Sequence, residues 1–120
     1  MSASPSHGTS AVQSESQFSA EVDAVLLAVE ESIEHSGADL EFETVAGILT
    51  ICCEDGSKII INRQTPTREI WVAARSGGFH FRKADGLWAD TRGGLDLAAR
   101  IAKCINEQSG ERVAPRLPVV

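Results

Sequence analysis

Phe18, Val22, Val25, Leu26, Val29 and Ile33 recur at three- and four-residue intervals near the start of the chain, the spacing that lines one face of an amphipathic helix. Ser14 or Ser16 suits its N-cap, the first with Gln17 three residues on, and Gly37 suits the left-handed position past its end. From Asp39 the period drops to two. Asp39, Glu41 and Glu43 alternate with Leu40 and Phe42, which predicts a half-buried strand over Asp39–Thr44 with acids on its wet side. Val45-Ala46-Gly47 turns into Ile48–Glu54, and Glu54-Asp55-Gly56-Ser57 is a hairpin signal before the β-branched run Lys58–Arg63. Gln64-Thr65-Pro66-Thr67 turns again, since its proline cannot donate to a ladder. Glu69–Ala74, Phe79–Lys83 and Leu87–Asp90 follow as strands across Arg75-Ser76-Gly77-Gly78 and Ala84-Asp85-Gly86. A second amphipathic helix over Leu95–Gln108, with Ala98, Ile101, Ala102 and Ile105 on one side, ends at Gly110.

Helix, a meander of about six antiparallel strands with short connections, then helix predicts an α+β two-layer sandwich. Both helices cover one sheet face and leave the other to solvent. If Ile59, Ile61, Ile70 and Val72 point inward, Asn62 and Trp71 point to the open face, where Gln64 and His80 join them around Ile60 and Ala73. A tryptophan amid hydrogen-bonding side chains has the composition of a protein-binding hot spot, whereas Trp88 fits core or edge packing. The competing view of Trp71 is a ring packed under a loop. The 120 residues have room for one domain, placed at 17–110. Residues 1–16, rich in Ser, form an expected disordered tail, and 111–120, with Pro115 and Pro118, an expected irregular one; neither is expected to matter to the fold. No apolar run approaches the roughly 20 residues that span a bilayer and no signal peptide opens the chain, so a soluble cytoplasmic protein is expected.

Charge changes the picture more than composition does. All eleven acids from Glu15 to Asp55 precede the first basic residue, Lys58, and from there eleven Lys and Arg face only six acids. Such separation creates an acidic side that attracts cations or a basic partner and repels nucleic acid. On the first helix Asp23, Glu30, Glu31 and Glu34 have no basic neighbour four residues on. Cys52, Cys53 and Cys104 are odd in number and argue against a disulfide framework; each is expected to pack as a small apolar residue. The chain has no glycine-rich phosphate loop, no C-x-x-C and no G-x-S-x-G, and His7, His35 and His80 lack chelating spacing, so no catalytic residue is assigned.

The run GSKIIINRQTPTREIWVA followed by GGFHF, with Gly47-Ile48-Leu49-Thr50-Ile51 upstream and Trp88 and the helix from Leu95 downstream, resembles the bacterial frataxin (CyaY) family over about Gln17 to Gly110. That resemblance implies the same sandwich and a role in iron–sulfur cluster assembly. It implies weak, exchangeable iron (Fe2+/Fe3+) at acids of the first helix and first strand, which match Glu30, Glu31, Glu34, Asp39, Glu41 and Glu43 here. Implied partners are a cysteine desulfurase and its scaffold protein, met by the acidic ridge and by the sheet around Asn62, Gln64, Trp71 and His80. The chain would be a monomer that metal can drive into oligomers. One departure stands out: His35-Ser36-Gly37-Ala38 carries no acid where many bacterial members have several. Without the resemblance, the helix-one acids are better explained as a solubilising face. Rival functions are a haem or iron-storage protein using His80 or Cys52 as ligand, and a ferroxidase-like enzyme.

Overall fold

The structure, a computed structural model, describes residues 14–119. The tail expected at 1–16 lies outside the described residues as far as residue 13, as does His7. Helix α1 spans Glu15–Ser36. Ser14 closes the capping box: its Oγ accepts from the Gln17 backbone N–H at 3.1 Å while Gln17 Oε1 accepts from the Ser14 N–H at 3.5 Å. Gly37, at φ 71°, ends the helix in the left-handed region where a Cβ would be strained.

Six strands follow in chain order, β1 (Glu41–Val45), β2 (Ile48–Cys52), β3 (Lys58–Gln64), β4 (Glu69–Ala74), β5 (Gly77–Ala84) and β6 (Leu87–Asp90), each antiparallel to the next in one meander sheet. Thr65–Thr67 between β3 and β4 is a single 3-10 turn built around Pro66. Helix α2 covers Leu97–Ser109 and starts two residues later than the apolar spacing predicts, because Asp96 caps it by accepting from the Ala99 N–H at 2.9 Å.

One core fills the space between the helices and the sheet. Phe18, Val22, Val25 and Val29 of α1 and Leu97, Ile101 and Ile105 of α2 meet Leu49, Ile51, Ile59, Ile61, Ile70, Val72 and Phe81, all essentially without solvent contact. Trp88 is buried too, edge-on to Phe18 with ring centres 6.2 Å apart. Parity along the strands then sends Glu41, Glu43, Thr50, Cys52, Ile60, Asn62, Trp71, His80 and Arg82 to the open face.

The segment after α2 corrects an expectation. Residues 111–119 form neither helix nor strand, yet Val113 and Pro115 are buried and Leu117 packs on the core. The Arg116 N–H donates to Ser32 Oγ of α1 at 3.1 Å, tying the segment across the helix. Prolines bar regular structure here but not burial, so an irregular backbone still seals one end of the sandwich.

Candidate functional site

Three paired strands assemble the open face. Asn62, Trp71 and His80 stand directly opposite one another across β3, β4 and β5, and Gln64, Glu69 and Arg82 form the adjoining row. The first row continues outward through Ile48 to Val45, both exposed. The four residues predicted for this face thus lie together on it.

Trp71 is half-buried rather than fully exposed, because two neighbours hold its ring. The indole stacks on the His80 imidazole with centres 4.2 Å apart and planes 8° from parallel. Its Nε1–H donates to Glu69 Oε1 at 2.8 Å. Glu69 is a carboxylate only 6% exposed, on the face meant for water. It also accepts from the Arg82 guanidinium, and His80 Nδ1 lies 3.9 Å from its Oε1. Burial alone would raise the Glu69 pKa, but the Trp71 and Arg82 hydrogen bonds and the positive charge of Arg82 together outweigh it and leave the group below its ordinary range. The sequence reading missed Glu69. Its position two residues before Trp71 was the available signal, but Arg82 becomes its partner only once β5 is in register.

A pH dependence follows from that sign. Glu69 is charged in the fold below the pH at which it would be charged in the unfolded chain, so its contribution to stability is complete above the unfolded pKa, near 4.3, and is lost as pH falls through the lower folded one. The side-chain carboxyl resonance of Glu69 should therefore titrate with a midpoint below the ordinary glutamate range. A midpoint above the ordinary glutamate range would mean that Glu69 is not held as the anion. Asp55 behaves alike at the β2–β3 turn: hydrogen bonds from Ser57 and Arg75 keep it far below the usual carboxylate range.

The acids divide into two groups. Glu21 and Asp23, early on α1, find partners that the sequence could not show: Lys83 Nζ at 2.9 Å and Arg63 Nη1 at 3.5 Å. Arg63 reaches α1 by passing over Gly47, where any Cβ would collide with the guanidinium. The six residues Glu30, Glu31, Glu34, Asp39, Glu41 and Glu43 have no cationic partner within ion-pair distance among the described residues. Glu30 accepts a hydrogen bond from the Thr44 hydroxyl and so bridges α1 to the edge strand. Glu31, Glu34, Asp39, Glu41 and Glu43 are exposed.

These acids do not share one face. Glu30, Glu31 and Glu34 lie on α1, whereas Glu41 and Glu43 alternate with core-packed Phe42 and project from the open face of β1. They flank the sheet edge from both sides. Among the described residues no three His, Cys, Asp or Glu side chains converge closely enough to hold a metal ion. The donors are hard oxygens suited to a hard cation, but without a cage they offer shallow, weak and exchangeable contacts. Arg116 of the C-terminal segment lines the same open groove as Glu31, Glu34 and His35, a basic group that sequence spacing would not place there.

The remaining candidates carry less chemistry. Cys53 and Cys104 are buried, and burial pushes the Cys104 thiol pKa up, away from the reactive thiolate. Cys52 is half-buried on the open face, between Glu41 and Lys58 in the sheet register. Among the described residues no helix is long and apolar enough to cross a membrane.

Comparison with known proteins agrees with this fold. The family model described as Frataxin-like domain matches residues 11–111. A protein of Paraburkholderia phymatum named iron-sulfur cluster assembly protein CyaY is 46% identical over 100 residues, covering 83% of this chain and 95% of its own. A protein of Ralstonia nicotianae with the same name is 48% identical over 99 residues, covering 79% and 88%. Among solved structures, the frataxin of Psychromonas ingrahamii superposes with a TM-score of 0.78 at 35% identity, covering 82% of this chain and 94% of that one. Yeast frataxin, at 22% identity and a TM-score of 0.58, shares the fold. With a helix–meander–helix sandwich and relatives of this identity and coverage, the chain belongs to the frataxin-like family.

Proposed function

We propose that this chain is an iron-binding regulator of iron–sulfur cluster assembly in the cytoplasm, a monomer that excess metal drives into oligomers. It docks on a cysteine desulfurase and its scaffold protein through the acidic edge and the open sheet face. It performs no covalent chemistry itself. Glu30, Glu31, Glu34, Asp39, Glu41 and Glu43 offer iron weak oxygen contacts, and Asn62, Gln64, Trp71 and His80 meet protein.

One observation carries this most: Glu21 and Asp23 of α1 are neutralised by the sheet, while the six acids further along lack ion-pair partners among the described residues. Glu30, Glu31 and Glu34, within about one turn of α1 and without ion-pair partners, gain when a cation relieves their repulsion, and a basic protein surface gains in the same way. Haem ligation has no such support. His80 lies flat against Trp71, and Cys52 sits on an open strand.

Thermal melts with and without ferrous iron under anaerobic conditions test the metal site. At a hundredfold excess over the dissociation constant the ion should add about 2.7 kcal/mol of stability. Changing Glu30, Glu31 and Glu34 together to Gln should shrink that gain and raise the metal-free melting temperature, since Gln keeps the acceptor for Thr44 and loses the repulsion. An undiminished metal response in this variant would move the site elsewhere.

A further inference from the structure

A second chemical feature lies along β5, where α2 and the loop after β6 meet the sheet, away from the acids of α1 and β1. Arg92 and Arg100 line one small cavity of about 200 Å³ with Gly78, Phe79, His80 and Asp90. Neither arginine has a carboxylate within ion-pair distance among the described residues, whereas Arg63, Arg75 and Arg82 all do. Arg100 approaches from α2 and lies over the Phe79 ring, its guanidinium carbon 4.0 Å from the ring centre. Its Nε–H is shielded from solvent and has no hydrogen-bond partner among the described residues.

The loop that brings Arg92 is fixed in place. The Thr91 N–H donates to the His80 carbonyl at 2.9 Å, and the Arg92 N–H donates to Asp90 Oδ1 at 2.7 Å. Gly93 then donates back to the Asp90 carbonyl at 3.0 Å, which bends the chain around the cavity mouth. Two arginines without ion-pair partners among the described residues line this one cavity, and the local carboxylate already accepts from the Arg92 backbone N–H.

We propose that this cavity is an oxyanion site that takes a carboxylate, held by Arg100 and Arg92. Guanidinium forks match carboxylates in geometry, and neither arginine has an ion-pair partner among the described residues to compete with one. Two arginines against the single charge of Asp90 leave one positive charge, which suits a monoanion better than a phosphate dianion. The volume lies below the roughly 300–1,000 Å³ of pockets for drug-sized ligands, so the occupant is a small carboxylate or one acidic side chain of a protein. His80 belongs both to this cavity and to the Trp71 stack, which places the site at the border of the proposed docking face. The proposal itself does not depend on that docking or on iron.

The test is a titration of the full chain with sodium acetate at constant ionic strength, followed through arginine Nε–H resonances, with Arg100 identified by the signal that Arg100→Lys removes. The Arg100 signal should move and saturate with acetate and stay still with chloride. Arg92→Gln, an exposed change that leaves the fold intact, should weaken acetate about tenfold or more, the loss expected for one charged hydrogen bond. A blocked Asp-containing peptide is the second arm. If it binds more tightly than acetate the carboxylate is protein-borne, and if it does not the ligand is a free anion; either order supports a carboxylate pocket. No saturable movement, an equal response to chloride, an unchanged affinity in Arg92→Gln, or stronger binding of inorganic phosphate would overturn the assignment.

Discussion

Ending the chain after Glu111 is expected to lower its stability by about 2–4 kcal/mol, a fall of roughly 10–25 °C in melting temperature for a domain of this size. Val113 is 4% exposed and belongs to the core, and burying a valine contributes about 1.5–3 kcal/mol. Leu117 adds a partly buried contact and the Ser32 hydroxyl loses the Arg116 N–H it accepts from. Val113→Asp should reproduce most of the loss within the full-length chain, because a carboxylate cannot be buried there without a partner. A truncated protein that melts within about 2 °C of the full chain would show that the segment only lies on the surface. Arg116→Gln separates charge from packing: it should leave the melt nearly unchanged and strengthen cation binding in the groove it shares with Glu31 and Glu34.

Trp71→Ala should have its largest effect on the proposed docking, with dissociation from a desulfurase–scaffold complex accelerated at least about thirtyfold, as for an aromatic hot spot worth 2 kcal/mol or more. The fold should lose a smaller amount, about 1–2 kcal/mol. The ring gives up its stack on His80 and its hydrogen bond to Glu69, but Arg82 still holds that carboxylate. His80→Ala is the control, since it removes the stack while leaving the indole bonded to Glu69. Reversing Glu31 and Glu34 to Lys should instead slow association and flatten its salt dependence, because exposed rim charges steer encounter and are screened beyond about 8 Å near physiological ionic strength. Surface plasmon resonance at low and high salt reads both rates. Affinity indifferent to salt and to the reversals would remove the acidic edge from the interface. A Trp71→Ala protein that loses 3–5 kcal/mol would make the ring a core residue.

What the sequence determined by itself is what repeats at short range. The 3.6-residue spacing of Phe18, Val22, Val25, Leu26, Val29 and Ile33 announced a helix with one dry face, and the alternation through Ile59, Ile61, Ile70 and Val72 announced strands whose other side carries Asn62 and Trp71. Caps and turns were as legible, because Ser14 with Gln17, Gly37 and Gly110 act on backbone groups only a few residues away. Tertiary structure alone decided which charges are spent. Glu21 meets Lys83 from 62 positions along the chain and Asp23 meets Arg63 from 40, so a helix face that looks uniformly acidic in sequence is neutral at one end and open at the other. It likewise sank Glu69 beneath Trp71 and Arg82, laid the C-terminal segment over α1, and brought Arg92 and Arg100 to one cavity. Local patterns reflect interactions between neighbours in sequence, whereas ion pairs and pockets depend on distances that exist only after strand register and helix packing are set.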